Sequence, residues 1–309
     1  MNKLHIETPL IESLLLNKSD SSEVWLKMEA LQPTGSFKIR GIGHACQIYL
    51  ENGAKAFISS SGGNAGLAVA YSGRRLGVPV TVVVPRTTNQ RAIDLIENEN
   101  AKVRVVGDSW NEAHVFALDL SDKKNAYLHP FDDKHIWEGH ASVIDEVYEA
   151  GVKPDVVVLS VGGGGLLCGV VEGLRRNKWE DIPVLAIETV GAKSLHTAFK
   201  AGKHIGVESI SSIATSLGAK KIANRAYQLL SEHNIYSHLV DDTDAIRACN
   251  SFLDDHRIMV EPACGASLSA VYDKCDFLKD KKSVLVIVCG GVGVTLGQLK
   301  DWSAGACLH

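Results

Sequence analysis

The feature that most constrains the fold of this 309-residue chain is an alternation of two kinds of segment. Short, almost continuously apolar and β-branched runs occur at residues 56–60, 80–85, 103–107, 156–161, 184–189 and 284–289. A strand that is apolar on both faces is covered on both faces, which is the state of a parallel sheet flanked by helices. Between the runs lie longer amphipathic stretches. They predict helices at 37–52, 64–76, 89–98, 110–120, 141–150, 166–177, 219–233, 244–254 and 266–278. Strand and helix alternating at this length predict an α/β fold with mainly parallel sheets.

The strands fall into two groups, one before about residue 130 and one after Val156, with loops at 122–125 and 130–134 between them. The expected architecture is two open, twisted, mainly parallel sheets flanked by helices. Residues 33–132 would form a small α/β domain, and 1–32 with 133–309 a large one. A ligand would be expected between them, at the C-terminal ends of the strands. The last strand would be followed by a short tail.

Composition narrows the classes. Hydrophobic residues at 45% and charged residues at 22% are the balance of a soluble globular protein. The net charge of −4 and scattered Lys and Arg give no nucleic-acid footprint. The N-terminus lacks the apolar core of a secretory signal, and no apolar run approaches the roughly 18 residues of a membrane span. The seven cysteines form no Cys-x-x-Cys pair. Cys46, Cys168, Cys249 and Cys275 read as small apolar residues, so a reducing cytoplasm is expected rather than a disulfide scaffold or zinc site. His135 and His140 read as a loop and a helix residue and not as ligands.

Glycines carry the first chemical signal. The apolar run ending at Val161 is followed by Gly162, Gly163, Gly164 and Gly165, and then by a predicted helix. Glycines let backbone N–H groups turn inward, and a helix N-terminus favours a phosphate there. A dinucleotide site needs G-x-G-x-x-G, which fails at Leu167 and Cys168, and near Gly291 and Gly293 it fails at Leu296. Glu188 does end the next strand where a ribose-binding acid would stand, which keeps a nicotinamide-dependent dehydrogenase open as a rival. A tight turn without ligand is the plain alternative.

A second glycine turn, Ser61-Gly62-Gly63-Asn64, again exposes N–H donors at a predicted helix start. Asn64 could be its N-cap, a ligand contact, or both. Two anion cradles suggest a ligand with two anionic ends, such as an amino acid joined to pyridoxal phosphate. Lys38, among apolar Phe37, Ile39 and Ile42, could be a desolvated nucleophile, although a first-turn lysine is most often merely solvated.

These strings together resemble a known family. Ser36-Phe37-Lys38-Ile39-Arg40-Gly41, Ser60-Ser61-Gly62-Gly63-Asn64-Ala65-Gly66, Trp137-Glu138-Gly139-His140, the glycine run, Glu261-Pro262-Ala263-Cys264-Gly265 and Val288-Cys289-Gly290-Gly291 are similar to the L-serine dehydratases (L-serine ammonia-lyases). These belong to the tryptophan synthase beta-like, fold type II group of pyridoxal-phosphate enzymes. The resemblance runs from Thr8 to about Leu299. The segment Val292-Gly293-Val294-Thr295 departs from it.

The resemblance implies roles. Lys38 would bind the cofactor covalently and be the catalytic residue, and Phe37 would pack on the ring. Gly162, Gly163, Gly164 and Gly165 would hold the phosphate, Cys289 would meet the ring nitrogen, and Gly290 would also bind the cofactor. Ser61, Gly62, Asn64 and Ala65 would bind the substrate carboxylate, Asn64 also reaching the cofactor. A potassium ion would bind at Gly162, Glu188, Ala192, Leu217 and Ala219. The implied activity is β-elimination of L-serine to pyruvate and ammonia, with weaker conversion of L-threonine to 2-oxobutanoate, in a cytoplasmic homodimer without nucleic-acid or membrane partners. A cysteine at the ring nitrogen offers no fixed negative charge, which favours prompt loss of the hydroxyl over racemisation. Serine racemase and threonine dehydratase of the same fold remain alternatives, and a nicotinamide-dependent dehydrogenase or a non-catalytic pyridoxal-phosphate binder are alternatives of a different functional class.

Overall fold

The computed structural model of the chain describes residues 2–17 and 22–306. The expected large domain therefore includes residues 1, 18–21 and 307–309, which lie outside the described residues. The first part of the chain forms β1 (Leu10–Glu12), β2 (Glu23–Lys27), α1 (Lys38–Glu51), β3 (Ala56–Ser59), α2 (Asn64–Leu76), β4 (Val80–Val84), α3 (Gln90–Glu97), β5 (Lys102–Val105), α4 (Trp110–Asp119) and β6 (Asn125–Tyr127). The second part forms α5 (Lys134–Glu149), β7 (Val156–Ser160), α6 (Gly165–Arg176), β8 (Val184–Thr189), α7 (Ser194–Ala201), α8 (Asn224–Glu232), β9 (Ile235–Val240), α9 (Asp242–His256), α10 (Pro262–Tyr272), β10 (Ser283–Ile287) and α11 (Leu296–Ala306).

Two mainly parallel sheets result. One has the order β1-β2-β10-β7-β8-β9, parallel except for the β1–β2 pair. The other is all parallel, in the order β5-β4-β3-β6. Central strands read as apolar on both faces lie inside: every residue of β7 is buried, as are Val284 to Ile287 of β10. The run at 103–107, read the same way, instead forms β5, a largely exposed edge strand of the smaller sheet. Their register sets Val284 opposite Val156 and Leu285 opposite Val157, so valine and leucine stack across the sheet centre.

The strands that periodicity missed are short or half-polar. β9, Ile-Tyr-Ser-His-Leu-Val, closes one edge of the larger sheet, and β6 closes an edge of the smaller. An edge strand keeps one side open to polar neighbours and loses the continuous apolar signature.

Several expected boundaries move. The helix expected at 219–233 begins at Asn224, and the preceding Ala223 N–H instead donates to the Gly163 carbonyl (2.8 Å). The helix expected at 141–150 begins about two turns earlier, at Lys134, because the Asp133 side chain caps it by accepting from the His135 N–H (2.8 Å). His135 is thus a helix residue rather than a loop residue. The helix expected at 266–278 starts at Pro262, whose missing N–H suits the first turn, and it ends at Tyr272 before a separate short turn at Asp276–Leu278. The expected short tail after the last strand is a helix, α11, with Leu299 fully buried against the larger core.

Candidate active site

Lys38 opens α1, and the segment before it is stitched to the tip of the central strand β10. Ser36 and Gly290 form an antiparallel bridge, the Phe37 N–H donates to the Cys289 carbonyl (3.2 Å), and the Gly291 N–H donates to the Gly35 carbonyl (2.7 Å). This pairing brings Lys38 to the strand end that carries Cys289. Helix α1 turns Ile39, Ile42, Ala45 and Cys46 into the core, which fixes its rotation.

The Lys38 ammonium donates to the Pro130 carbonyl (2.7 Å) and lies 5.2 Å from the centroid of the Phe37 ring. Burial, partly offset by the nearby Cys289 and Glu261, lowers its pKa from 10.5 to about 8. The Phe37 ring packs in turn on His140, with 4.9 Å between centroids. Burial, followed by the charge of Lys38, holds His140 well below the usual histidine range.

The residue after Pro130 reaches the glycine loop. A Cβ on Gly163 would fall 2.2 Å from the Phe131 ring, and one on Gly165 would fall 2.9 Å from the Phe131 carbonyl. Gly164 has φ +90°, a left-handed conformation that favours glycine, and it forms the N-cap of α6 without a side-chain cap. A cradle a Cβ would fill, at an uncapped helix N-terminus, fits a phosphate. Pro130 and Phe131 thereby join the buried amine to the anion cradle.

The serine–asparagine turn stands on the other sheet, between β3 and α2. Gly63 is the N-cap, so Asn64 is the first helical residue and not the cap considered from sequence. Its side chain crosses instead to the larger unit. Nδ2 donates to Glu261 Oε1 (2.9 Å) and points to Ser216 Oγ (3.4 Å), and Oδ1 accepts from the Val292 N–H (3.1 Å). Ser61 is half-buried with Gly62 beside it, and Ala65 is buried at the helix start. Ser216 belongs to the turn that also approaches Gly162, where a Cβ would lie 2.8 Å from the Ser216 carbonyl.

Cys289 is buried, and a hydrogen bond with Cys264 together with burial pushes its thiol well above the ordinary value. The strand tip thus presents a neutral sulfur. Gly290 follows it with φ +82°. Glu188, at the end of β8, is fully buried, and its two oxygens accept from the Leu195 N–H (2.8 Å) and the His196 N–H (2.7 Å). Burial raises its pKa to about 7. Ala192 folds back onto Thr189 in a bridge, Leu217 lies against Gly162, and the Ala219 N–H donates to the Leu217 carbonyl (2.8 Å).

Lys38, Phe37, the glycine loop, Asn64 and Cys289 are therefore linked by direct contacts or by one intervening residue. Glu261, Pro130, Phe131 and Ser216 have no role that is legible in the sequence. Their contribution comes from contacts across the chain, and the available signal was a carboxylate in an otherwise apolar helix start at Glu261-Pro262.

A family model described as pyridoxal-phosphate dependent enzyme matches residues 1–290. The chain is 48% identical over 309 residues to the L-serine dehydratase/L-threonine deaminase of Mus musculus, covering 96% of this chain and 94% of the relative. It is 44% identical over 319 residues to the L-serine dehydratase of Dictyostelium discoideum, covering 96% and 91%. Among solved structures, a fungal L-serine ammonia-lyase from Rhizomucor miehei superposes with a TM-score of 0.92 at 35% identity, covering 98% of this chain and 99% of the other.

Proposed function

Because the chain belongs to the family of pyridoxal-phosphate dependent enzymes, we propose that it is an L-serine dehydratase that converts L-serine to pyruvate and ammonia and turns over L-threonine more slowly. The observation that carries this reading is the buried Lys38 amine held on the Pro130 carbonyl, one residue from the side chain that lines the glycine cradle. The relatives named above supply the substrate class.

Lys38 is the residue that binds the cofactor and then carries the α-proton. Its amine titrates near 8, so at neutral pH about a tenth of it is free base, against roughly three parts in ten thousand for an ordinary lysine. Gly162, Gly163, Gly164 and Gly165 hold the phosphate with their backbone N–H groups, and Phe37 supports one face of the ring. Pyridoxal phosphate, when bound, supplies the electron sink for cleavage of the α C–H bond. Ser61, Gly62, Asn64 and Ala65 orient the substrate carboxylate at the N-terminus of α2. Cys289, kept neutral by Cys264 and burial, places no anion beside the ring nitrogen. That arrangement favours departure of the β-hydroxyl over return of the proton to the other face, which is the basis for preferring dehydratase to racemase.

Threonine adds one methyl group. A pocket separates one methylene by about 1–3 kcal/mol, so measurable 2-oxobutanoate formation is expected. The test is direct: the protein with added pyridoxal phosphate develops a visible absorption band and releases equimolar pyruvate and ammonia from L-serine. Recovery of D-serine without pyruvate would move the assignment to racemase. A band with no product at all would leave a binding protein.

Residues 33–132 as the small unit, and 1–32 with 133–309 as the large one, follow from the same reading. So does a potassium ion at Glu188 with Gly162, Ala192, Leu217 and Ala219. Its support is a fully buried carboxylate that, among the described residues, makes no ion pair within 4.0 Å and takes only backbone N–H groups. Potassium chloride is expected to raise the melting temperature and the cofactor affinity more than the larger tetramethylammonium ion at equal ionic strength, and Glu188→Gln should remove the difference. Equal responses to the two salts would dismiss the cation. The cytoplasmic setting is supported by six free cysteines among the described residues, five of them buried. The homodimer rests on the family resemblance alone.

A further inference from the structure

The Asn64 side chain is almost fully engaged within the protein. Oδ1 accepts from the Val292 N–H at 3.1 Å, one Nδ2 hydrogen goes to Glu261 Oε1 at 2.9 Å, and the other points along a long 3.4 Å contact to Ser216 Oγ. The second oxygen of Glu261 accepts from the Gly293 N–H at 3.3 Å. This carboxylate is only 5% exposed, and it sits so close to the strand tip that a Cβ on Gly291 would fall 1.9 Å from its carboxyl carbon. Gly291 has φ +117° and so serves both the close approach and the turn.

A carboxamide can face either of two ways. Reversing Asn64 would set its oxygen against a Glu261 oxygen and its NH2 against the Val292 N–H, and both contacts repel. An ionised carboxylate only accepts, so it removes the ambiguity that an amide or hydroxyl partner would leave. Burial raises the pKa of Glu261, while hydrogen bonds from Ser216, Gly293 and Asn64 and the charge of Lys38 oppose that rise. Burial prevails, so the carboxyl stands above its ordinary range, while three donors converge on its two oxygens.

We propose that Glu261 is a positioning residue of this site: it grips one Nδ2 hydrogen of Asn64, from the opposite sheet, so that the other is presented to an anionic oxygen of the bound cofactor or substrate. The weak Ser216 contact is the one a ligand displaces. Glu261 does not touch the ligand in this arrangement: it positions the amide through Asn64, apart from the charge it sets near Lys38. The proposal rests on the reading that Asn64 contacts the ligand.

A double-mutant cycle tests it. Apo protein is titrated with pyridoxal phosphate, and dissociation constants are taken from fluorescence quenching for the unaltered chain, Asn64→Ala, Glu261→Ala and the double variant. Each single change is expected to weaken binding at least about tenfold, and the double variant to bind within about twofold of Asn64→Ala. The visible absorbance maximum of the bound cofactor should move in Glu261→Ala as it does in Asn64→Ala. Glu261→Gln keeps an acceptor for Nδ2 but restores the ambiguity of an amide partner, so it should recover only part of the loss. Losses that multiply in the double variant, or cofactor binding by Glu261→Ala equal to that of the unaltered chain, would overturn the role. Where Glu261→Ala does not fold, the near-isosteric Glu261→Met carries the same cycle with the same outcomes. Failure of the unaltered chain to bind pyridoxal phosphate would instead overturn the functional reading, and this proposal with it.

Discussion

Lys38→Ala is expected to lower pyruvate formation from L-serine by at least about a thousandfold and to abolish the visible band that joins cofactor to protein. The two losses have one cause. The amine that binds the cofactor is also the base nearest the site where a substrate proton must leave, and among the described residues near it neither histidine can take over. His140 is held well below its usual range by burial and by Lys38 itself, and its Nδ1 accepts from the Gly41 N–H (3.1 Å). His129 is lowered to about 4 by burial, and its Nδ1 accepts from the backbone N–H groups of Phe131 (3.2 Å) and Asp132 (2.8 Å). Lys38→Arg keeps the charge but not the nucleophile, because a guanidinium stays protonated, and should be equally inactive. The phosphate cradle does not depend on the lysine, so Lys38→Ala should still bind pyridoxal phosphate, reversibly and more weakly, by fluorescence quenching. Appreciable steady-state turnover in Lys38→Ala would end the assignment of this residue.

The parts of the site that were legible in sequence are those whose chemistry is local. Gly162 to Gly165 directly follow the apolar run they terminate, and Lys38 stands among the apolar residues that desolvate it. The parts that were not legible are joined through space. Asn64 and Glu261 are 197 positions apart, and Lys38 and Pro130 are 92 apart. No periodicity or spacing encodes which of many carboxylates will face a given amide. The fold shows the same division. Central strands such as β7 and β10 declare themselves by apolar residues on both faces, whereas β9 and β6 sit at edges and read as loops. Residues 219–223 have acceptable helix composition, yet α8 starts only at Asn224 because the Ala223 N–H is used by the glycine loop. There a tertiary hydrogen bond overrides a weak local preference.

Arg40, two residues beyond Lys38, is where the second large effect is expected, on stability rather than chemistry. It is fully buried and makes two bonds to each of two carboxylates. Nε and Nη2 reach the two Glu29 oxygens (2.6 and 2.8 Å), and Nη1 and Nη2 reach those of Glu146 (2.6 and 2.7 Å). Lys27 completes the group, 2.5 Å from Glu146 and donating to the Thr8 carbonyl (2.6 Å). Two cations and two anions balance in a volume closed to water, tying α1 to α5 and to strand β2. Arg40→Met keeps much of the volume but leaves two buried carboxylates to one lysine. Removing one partner of such a group costs about 3–5 kcal/mol, which for a chain of this length lowers the melting temperature by roughly 5–8 °C. Arg40→Lys restores charge without the paired fork and should fall between. A melting temperature within about 1 °C of the unaltered protein would show that the cluster contributes nothing net.

The pH response has a definite sign. Burial alone would push Glu146 up, but the hydrogen bond and charge of Arg40, and then those of Lys27, hold it below its ordinary 4.5. A depressed carboxyl contributes stability that is complete above the unfolded value and is lost as pH falls through the folded one. The gap in melting temperature between the unaltered chain and Arg40→Met should therefore be widest above about pH 5 and close as the solution is acidified. Because α1 also seats Lys38, Arg40→Met should hold the cofactor more weakly than the unaltered protein above about pH 5, and the difference should shrink as the solution is acidified. Equal cofactor affinity in both at neutral pH would separate the seat of Lys38 from the charge cluster beneath it.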